Sequence, residues 1–261
     1  MQEAEGARSF KAGDAAYDRF MGRYSAPLAV AFADAAGIAS GQRALDVGCG
    51  PGALTAELVR RLGADSVAAV DPSEPFVEAC RRRHPGVDVQ LARAEDLPFP
   101  DDQFDAALSQ LVLHFVSDPA ATAAELKRVT VPGGTVAACV WDVQGMTMLR
   151  VFREAVAATD PGAPIGADPR AFGREGEIAE LFTAAGLRDV TAGALDVESA
   201  YTDFEDYWTP FLTGIGPAGA YVVTLDAADR ERLREEMLAR LDSPTGAFAL
   251  PARAWYAVGH A

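Results

Sequence analysis

The stretch that most constrains this chain is Ala44–Ala53, which reads Ala-Leu-Asp-Val-Gly-Cys-Gly-Pro-Gly-Ala. An apolar run carries one acid, Asp46, and ends in Gly48, Gly50 and Gly52. A helical pattern then begins, with Leu54, Leu58 and Leu62 on one face. Strand, glycine turn and helix in that order form the first half of a βαβ unit. Glycine has no Cβ and tolerates positive φ, so a ligand can lie against bare backbone there.

The rhythm continues along the chain. The pattern predicts strands over 44–48, 66–70, 87–91, 104–109 and 135–141, with helices over 53–62, 73–84 and up to residue 129 between them. Asp118-Pro119 supplies an N-cap and first-turn proline for the last of these helices. Such alternation implies an α/β fold, a doubly wound, mostly parallel sheet with helices on both faces. After Asp142 the rhythm breaks. A helix over 175–185, strands over 187–197 and 248–258, an aromatic stretch at 203–214 and a helix capped by Asp226 complete the chain. The two late strands are expected to form an antiparallel hairpin finishing the sheet. Upstream, Tyr17–Tyr24 is dense in aromatics and arginine, and a helix is expected over 27–36. It is read either as a helix packed on the sheet or as a segment folding over the ligand mouth.

Charge narrows the partners. The formal net charge is −15, and Lys11 and Lys127 are the only lysines, so nucleic acid is disfavoured. The runs Arg60-Arg61 and Arg81-Arg82-Arg83 fall at expected helix C-termini, where they complement the macrodipole. Cys49, Cys80 and Cys139 lack ligand spacing, so buried free thiols are expected, and no metal site. No apolar run approaches a membrane span, and the N-terminus is polar; the expected location is cytoplasmic.

Three features of the glycine turn push away from a pyrophosphate ligand. There is no Gly-Lys-Ser/Thr ending, which excludes a P-loop. Pro51 has no N–H, which removes one donor from a phosphate nest. Asp46 repels a dianion and attracts an ammonium group. Asp71 lies at the end of the second strand, where a carboxylate can accept from a ribose diol. A nucleoside with a cationic amino-acid tail fits better than a phosphorylated one, and S-adenosylmethionine answers that description.

Leu45–Gly52 resembles motif I of the class I S-adenosylmethionine-dependent methyltransferases. Val70-Asp-Pro-Ser73, Ala94-Glu-Asp-Leu-Pro-Phe99, Phe104-Asp105 and Val131-Pro-Gly-Gly134 match the next landmarks in order, over about residues 40–142. The set is similar to the small-molecule branch that includes ubiquinone/menaquinone-type enzymes, and Tyr17–Ser25 resembles its N-terminal cap. The resemblance implies a Rossmann-like sheet with a helical lid and S-adenosyl-L-methionine as cofactor. It implies one domain over 1–261: cap 1–37, cofactor-binding half 38–142, lid segments 143–174 and 200–243, and 175–199 with 244–261 completing the sheet.

Carried over by position, Gly48, Cys49 and Gly50 bring backbone against the methionyl part, with Asp46 and Gln110 near its amino group. Asp71 holds the ribose hydroxyls, Pro72 flanks the adenine, and Ala94 and Glu95 border its edge. Tyr17 contributes from the cap, and Arg23 is a candidate for the cofactor carboxylate by its charge. Arg93 stands where many relatives carry an aspartate for the adenine amino group; a guanidinium only donates. The implied chemistry is methyl transfer by in-line displacement to an O, N or C nucleophile of a small molecule. His114 is the candidate general base, with a passive or structural role as its alternative. Tyr17, Trp141, Tyr207 and Trp208 are read as either the wall of an aromatic acceptor pocket or ordinary lid packing. A nicotinamide-dependent oxidoreductase and a noncatalytic or repurposed cofactor-binding protein remain the competing readings.

Overall fold

A computed structural model describes residues 18–142, 144–163, 172–214 and 216–261. Helix α1 (Arg23–Ala35) precedes the alternating core: β1 (Ala44–Val47), α2 (Ala53–Leu62), β2 (Val67–Asp71), α3 (Glu74–Arg83), β3 (Asp88–Leu91), β4 (Phe104–Gln110), α4 (Pro119–Val129) and β5 (Thr130–Trp141). There follow α5 (Thr147–Thr159), α6 (Glu177–Ala184), β6 (Arg188–Tyr201), α7 (Phe204–Trp208), α8 (Gly216–Val222), α9 (Ala227–Arg240) and β7 (Phe248–His260).

The strands form one seven-stranded sheet in the order β3-β2-β1-β4-β5-β7-β6. β1 to β5 run parallel, while β7 is antiparallel to both neighbours. The chain steps from β1 outward to β3, then returns to β4 on the other side of β1. That reversal opens a crevice beyond the C-terminal ends of β1 and β4, where open α/β sheets bind ligands. β1 and β2 are buried along their whole length, as strands covered on both faces must be.

One core lies on each face. Asp46, Asp71, Gln110 and Trp141 share the strand parity of the first core, which α1, α2, α3, α5 and α9 cover. α4 and α6 cover the second. Asp118 caps α4 by accepting the Ala121 N–H at 3.0 Å, and Asp226 caps α9 by accepting that of Asp229 at 2.8 Å. The aromatic stretch after β6 is packed inward: Phe211 stacks on Phe152 at 5.0 Å, and Tyr207 donates its hydroxyl to the Met148 carbonyl. All three cysteines are buried free thiols.

Two details differ from the sequence reading. β5 starts at Thr130 rather than 135, and the register between β4 and β5 shifts between Phe104 and Ala106. The late strands are longer than expected, Arg188–Tyr201 and Phe248–His260, and the stretch between them carries α7, α8 and α9.

Candidate functional site

The glycine turn is held by its neighbours on three sides. The N–H groups of Gly48 and Cys49 both donate to the Val70 carbonyl, at 2.8 and 2.9 Å. Asp71 Oδ2 accepts the Gly50 N–H at 2.9 Å, and its Oδ1 accepts the Ser73 N–H at 2.8 Å. One carboxylate therefore ties the turn after β1 to the loop after β2. On the third side the turn meets Val112. Gly48 has φ 78°, and a Cβ added there would lie 2.3 Å from Val112 Cγ2. Gly50 has φ 53°, and a Cβ there would meet nothing within 4 Å. The first glycine is a packing requirement; the second faces open space, a bare-backbone surface a ligand can approach.

These two glycines should respond differently to substitution. Gly48→Ala combines a left-handed backbone with overlap against the Val112 side chain and is expected to lower stability by about 2 kcal/mol. Gly50→Ala has no overlap, so it should leave the melting temperature closer to the parent while still weakening a ligand seated on the turn. Thermal melts set against ligand calorimetry for the two variants check this ordering; equal melting-temperature losses would contradict it.

Asp46 is almost completely buried at 1 % exposure. Its Oδ2 accepts the Thr55 hydroxyl at 2.6 Å, and its Oδ1 has no partner in the protein. Burial, with the nearby Asp71 adding to it, pushes the Asp46 carboxyl up to about 7. Burial likewise pushes Asp71 up to about 6, although its two N–H donors oppose the shift. Thr55 in turn receives a long contact from the Cys80 thiol at 3.7 Å. Contact with Cys80 and burial raise the Cys49 thiol, whereas the same contact lowers that of Cys80.

Gln110 closes the other side of the crevice. Its Nε2 donates to the Ser25 carbonyl of α1 at 3.0 Å, while its Oε1 is buried without a partner. The next residue, Leu111, takes φ 64° and donates its N–H to the Cys139 carbonyl. A leucine in the left-handed region is uncommon, and such backbone gathers where ligands bind. Asp46 Oδ1 and Gln110 Oε1 are thus two buried acceptors lacking donors on one face at adjacent strand ends. The missing complement is a group rich in N–H, which an amino-acid ammonium provides.

The remaining expected residues are distributed around this centre. Pro72 is exposed beside Asp71. Ala94 is buried in the second core. Against the upward push of partial burial, Ser117 and Arg93 hold the Glu95 carboxyl down, to about 2. Glu95 Oε1 accepts the Ser117 N–H and O–H at 2.8 and 2.7 Å, which ties the post-β3 loop to the post-β4 loop. His114 lies half-buried after β4, beside Phe115. Arg23 is paired with Asp206 at 2.8 Å, donates to the Ala200 carbonyl and covers the Tyr201 ring. It joins α1 to the β6–α7 junction. Tyr17 lies outside the described residues. Thr55, Ser25 and Leu111 escaped the sequence reading. Of these, only Thr55, in the first turn of the helix after the glycines, carried a local signal.

Comparison with known proteins agrees with this geometry. A family model described as a methyltransferase domain matches residues 45–138. An uncharacterized protein of Mycobacterium tuberculosis is 32% identical over 218 residues, covering 79% of this chain and 78% of its own. The demethylmenaquinone methyltransferase of Renibacterium salmoninarum is 41% identical over 101 residues, 39% of this chain and 42% of that one. Among solved structures, a geranyl diphosphate C-methyltransferase from Streptomyces coelicolor, crystallised with S-adenosyl-L-homocysteine, aligns with a TM-score of 0.53. It is 16% identical over 90% of this chain and 76% of that one. Sheet order and crevice define a Rossmann-like methyltransferase fold. The chain belongs to the class I S-adenosylmethionine-dependent methyltransferases.

Proposed function

We propose that the chain moves the methyl group of S-adenosyl-L-methionine, by in-line displacement, onto an O, N or C nucleophile of a small and preferably aromatic molecule. The observation that carries the reading is the pair of buried, donorless acceptors, Asp46 Oδ1 and Gln110 Oε1, beside the open backbone of Gly50. They suit the ammonium of the cofactor's amino-acid tail. Gly48, Cys49 and Gly50 line the methionyl part. Asp71 Oδ2 keeps lone pairs for a ribose hydroxyl while it holds Gly50, and exposed Pro72 offers a flat surface to the base. Ala94 and Glu95 bound the base edge.

When bound, the sulfonium supplies a methyl group that is already activated, so this chain's own work is alignment and exclusion of water. His114 takes a proton from the acceptor where the nucleophile carries one. The N-terminal segment up to 37 acts as a cap and 143–174 with 200–243 as a lid, joined in part by Arg23 and Asp206. Among the described residues no helix is long and apolar enough to cross a membrane.

Calorimetry with S-adenosylhomocysteine and with NAD tests the cofactor: binding of the first and not the second is expected, and the reverse overturns the reading. A labelled-methyl screen over phenols, reduced quinones and polyketide-like acceptors tests transfer. On a substrate so found, His114→Ala should slow turnover by about a hundredfold with unchanged S-adenosylhomocysteine affinity; equal loss of both would make His114 structural.

A further inference from the structure

The unpartnered polar atoms do not stop at Gln110. Trp141, the last residue of β5, is 8 % exposed, and its indole Nε1 is buried with no acceptor. Strand register places it relative to the other two. Asp46 pairs with Leu108, and Gln110 lies two residues beyond that on the same face. Gln110 pairs with Cys139, and Trp141 lies two residues beyond that, again on the same face. Asp46, Gln110 and Trp141 therefore form a diagonal across three adjacent strands, each step about 5 Å sideways and about 7 Å toward the mouth. With Asp46 ionised the first two atoms only accept; the third only donates. A ligand subsite that wants a donor gives way, along one line, to a subsite that wants a lone pair.

We propose that Trp141 determines acceptor specificity: its indole N–H donates to a hydroxyl or carbonyl oxygen of a neutral, flat acceptor molecule. This rests on the methyltransferase reading, since the cofactor fills the Asp46–Gln110 end. A flat molecule suits the aromatic surroundings: the Tyr24 ring packs T-shaped against the indole with centroids 6.1 Å apart, and Met146 and Met148 belong to the same buried core. Neutrality follows from the lack of a spare cation: Arg23, which covers Tyr201 behind Tyr24, is committed to Asp206. A carboxylate or phosphate would meet a single N–H dipole in place of a counter-charge. Trp255 also has an unpartnered indole, but on the opposite parity of β7, and serves as an internal control.

The test uses wild-type protein saturated with S-adenosylhomocysteine and labelled with 15N at its three tryptophans. Naphthalene, 2-naphthol, 2-acetylnaphthalene and 2-naphthoate are the probes. The naphthol and the ketone should move the Trp141 indole signal downfield and leave that of Trp255 in place; the hydrocarbon and the acid should not. W141F, which keeps a ring and loses the N–H, should bind the two oxygenated probes about tenfold more weakly with S-adenosylhomocysteine affinity unchanged. A Trp141 signal indifferent to every probe overturns the proposal, as does W141F weakening the cofactor product as much as the probes. If W141F does not fold, W208F and W255F assign the signal by elimination and the wild-type titration decides. Absence of S-adenosylhomocysteine binding to the wild type is a separate result, and it refutes the cofactor reading instead.

Discussion

Asp71→Ala is expected to weaken S-adenosylhomocysteine binding by ten- to a hundredfold and to lower stability together with it. The carboxylate accepts two backbone N–H groups, from Gly50 at 2.9 Å and Ser73 at 2.8 Å, and is 6 % exposed. Hydrogen bonds to a charged group contribute roughly 1.5–3 kcal/mol each, and a buried donor left alone forfeits its desolvation. Against this stands the burden of burying a carboxylate, visible in the rise of its pKa to about 6. The net stability loss is therefore about 2 kcal/mol rather than the sum of two charged bonds. Affinity falls for a connected reason. Without Asp71 the Gly50 N–H loses its tether, and the open face of the turn is no longer held where the ligand needs it. Asp71→Asn separates the two roles, because its amide can accept one N–H but presents its own donors to the other. It should fall between parent and alanine in both thermal melt and calorimetry. A variant lacking the Asp71 carboxylate that kept parental affinity would remove this residue from the site.

Much of this machinery could be read from local sequence. Glycines at 48, 50 and 52 between an apolar run and a leucine stripe specify strand, turn and helix, because each depends on neighbours in the chain. Asp118 before Pro119, and Asp226 three residues before Asp229, cap their helices for the same reason. The doubly wound, parallel core followed from alternation. What the sequence concealed depends on residues distant in the chain. Gln110 is bonded to Ser25 across 85 positions, and Tyr24 to Tyr201 across 177. Charge alone suggested Arg23 for a carboxylate of the cofactor. Only the packing of α1 against the β6–α7 junction reveals that Asp206 already neutralises it. Likewise, Asp71 was legible as an acid at a strand end, but its tether to Gly50 depends on where two loops meet. The lengths of β6 and β7 were missed because their residues are ladder partners across a long connection, and half-exposed edge positions carry little apolar signal.

Asp46→Asn should produce opposite changes in binding and stability, with a pH signature that a packing residue lacks. Burial, with Asp71 adding to it, pushes the Asp46 carboxyl up to about 7, well above an ordinary aspartate. In the folded chain the group holds its proton more tightly than in the unfolded chain. Its effect on stability is therefore most favourable at low pH and is lost as pH rises toward 7. At pH 8 the free protein carries a buried anion whose Oδ1 has no partner, and the neutral amide relieves this. Asp46→Asn should be more stable there by about 2 kcal/mol, after allowing for a weaker bond from the Thr55 hydroxyl. Binding runs the other way. An ammonium brought to Oδ1 needs the ionised acid, so wild-type affinity for S-adenosylhomocysteine should fall below pH 7 by up to about tenfold per unit. Asp46→Asn should bind weakly at pH 8, by about tenfold or more, and lose the Asp46 component of that slope. Calorimetry at pH 5.5, 7 and 8.5, with melts at each, reads both effects. A wild-type affinity that is flat over this range, or an asparagine variant with the parental slope, would show that the unpartnered oxygen of Asp46 faces something other than a cation.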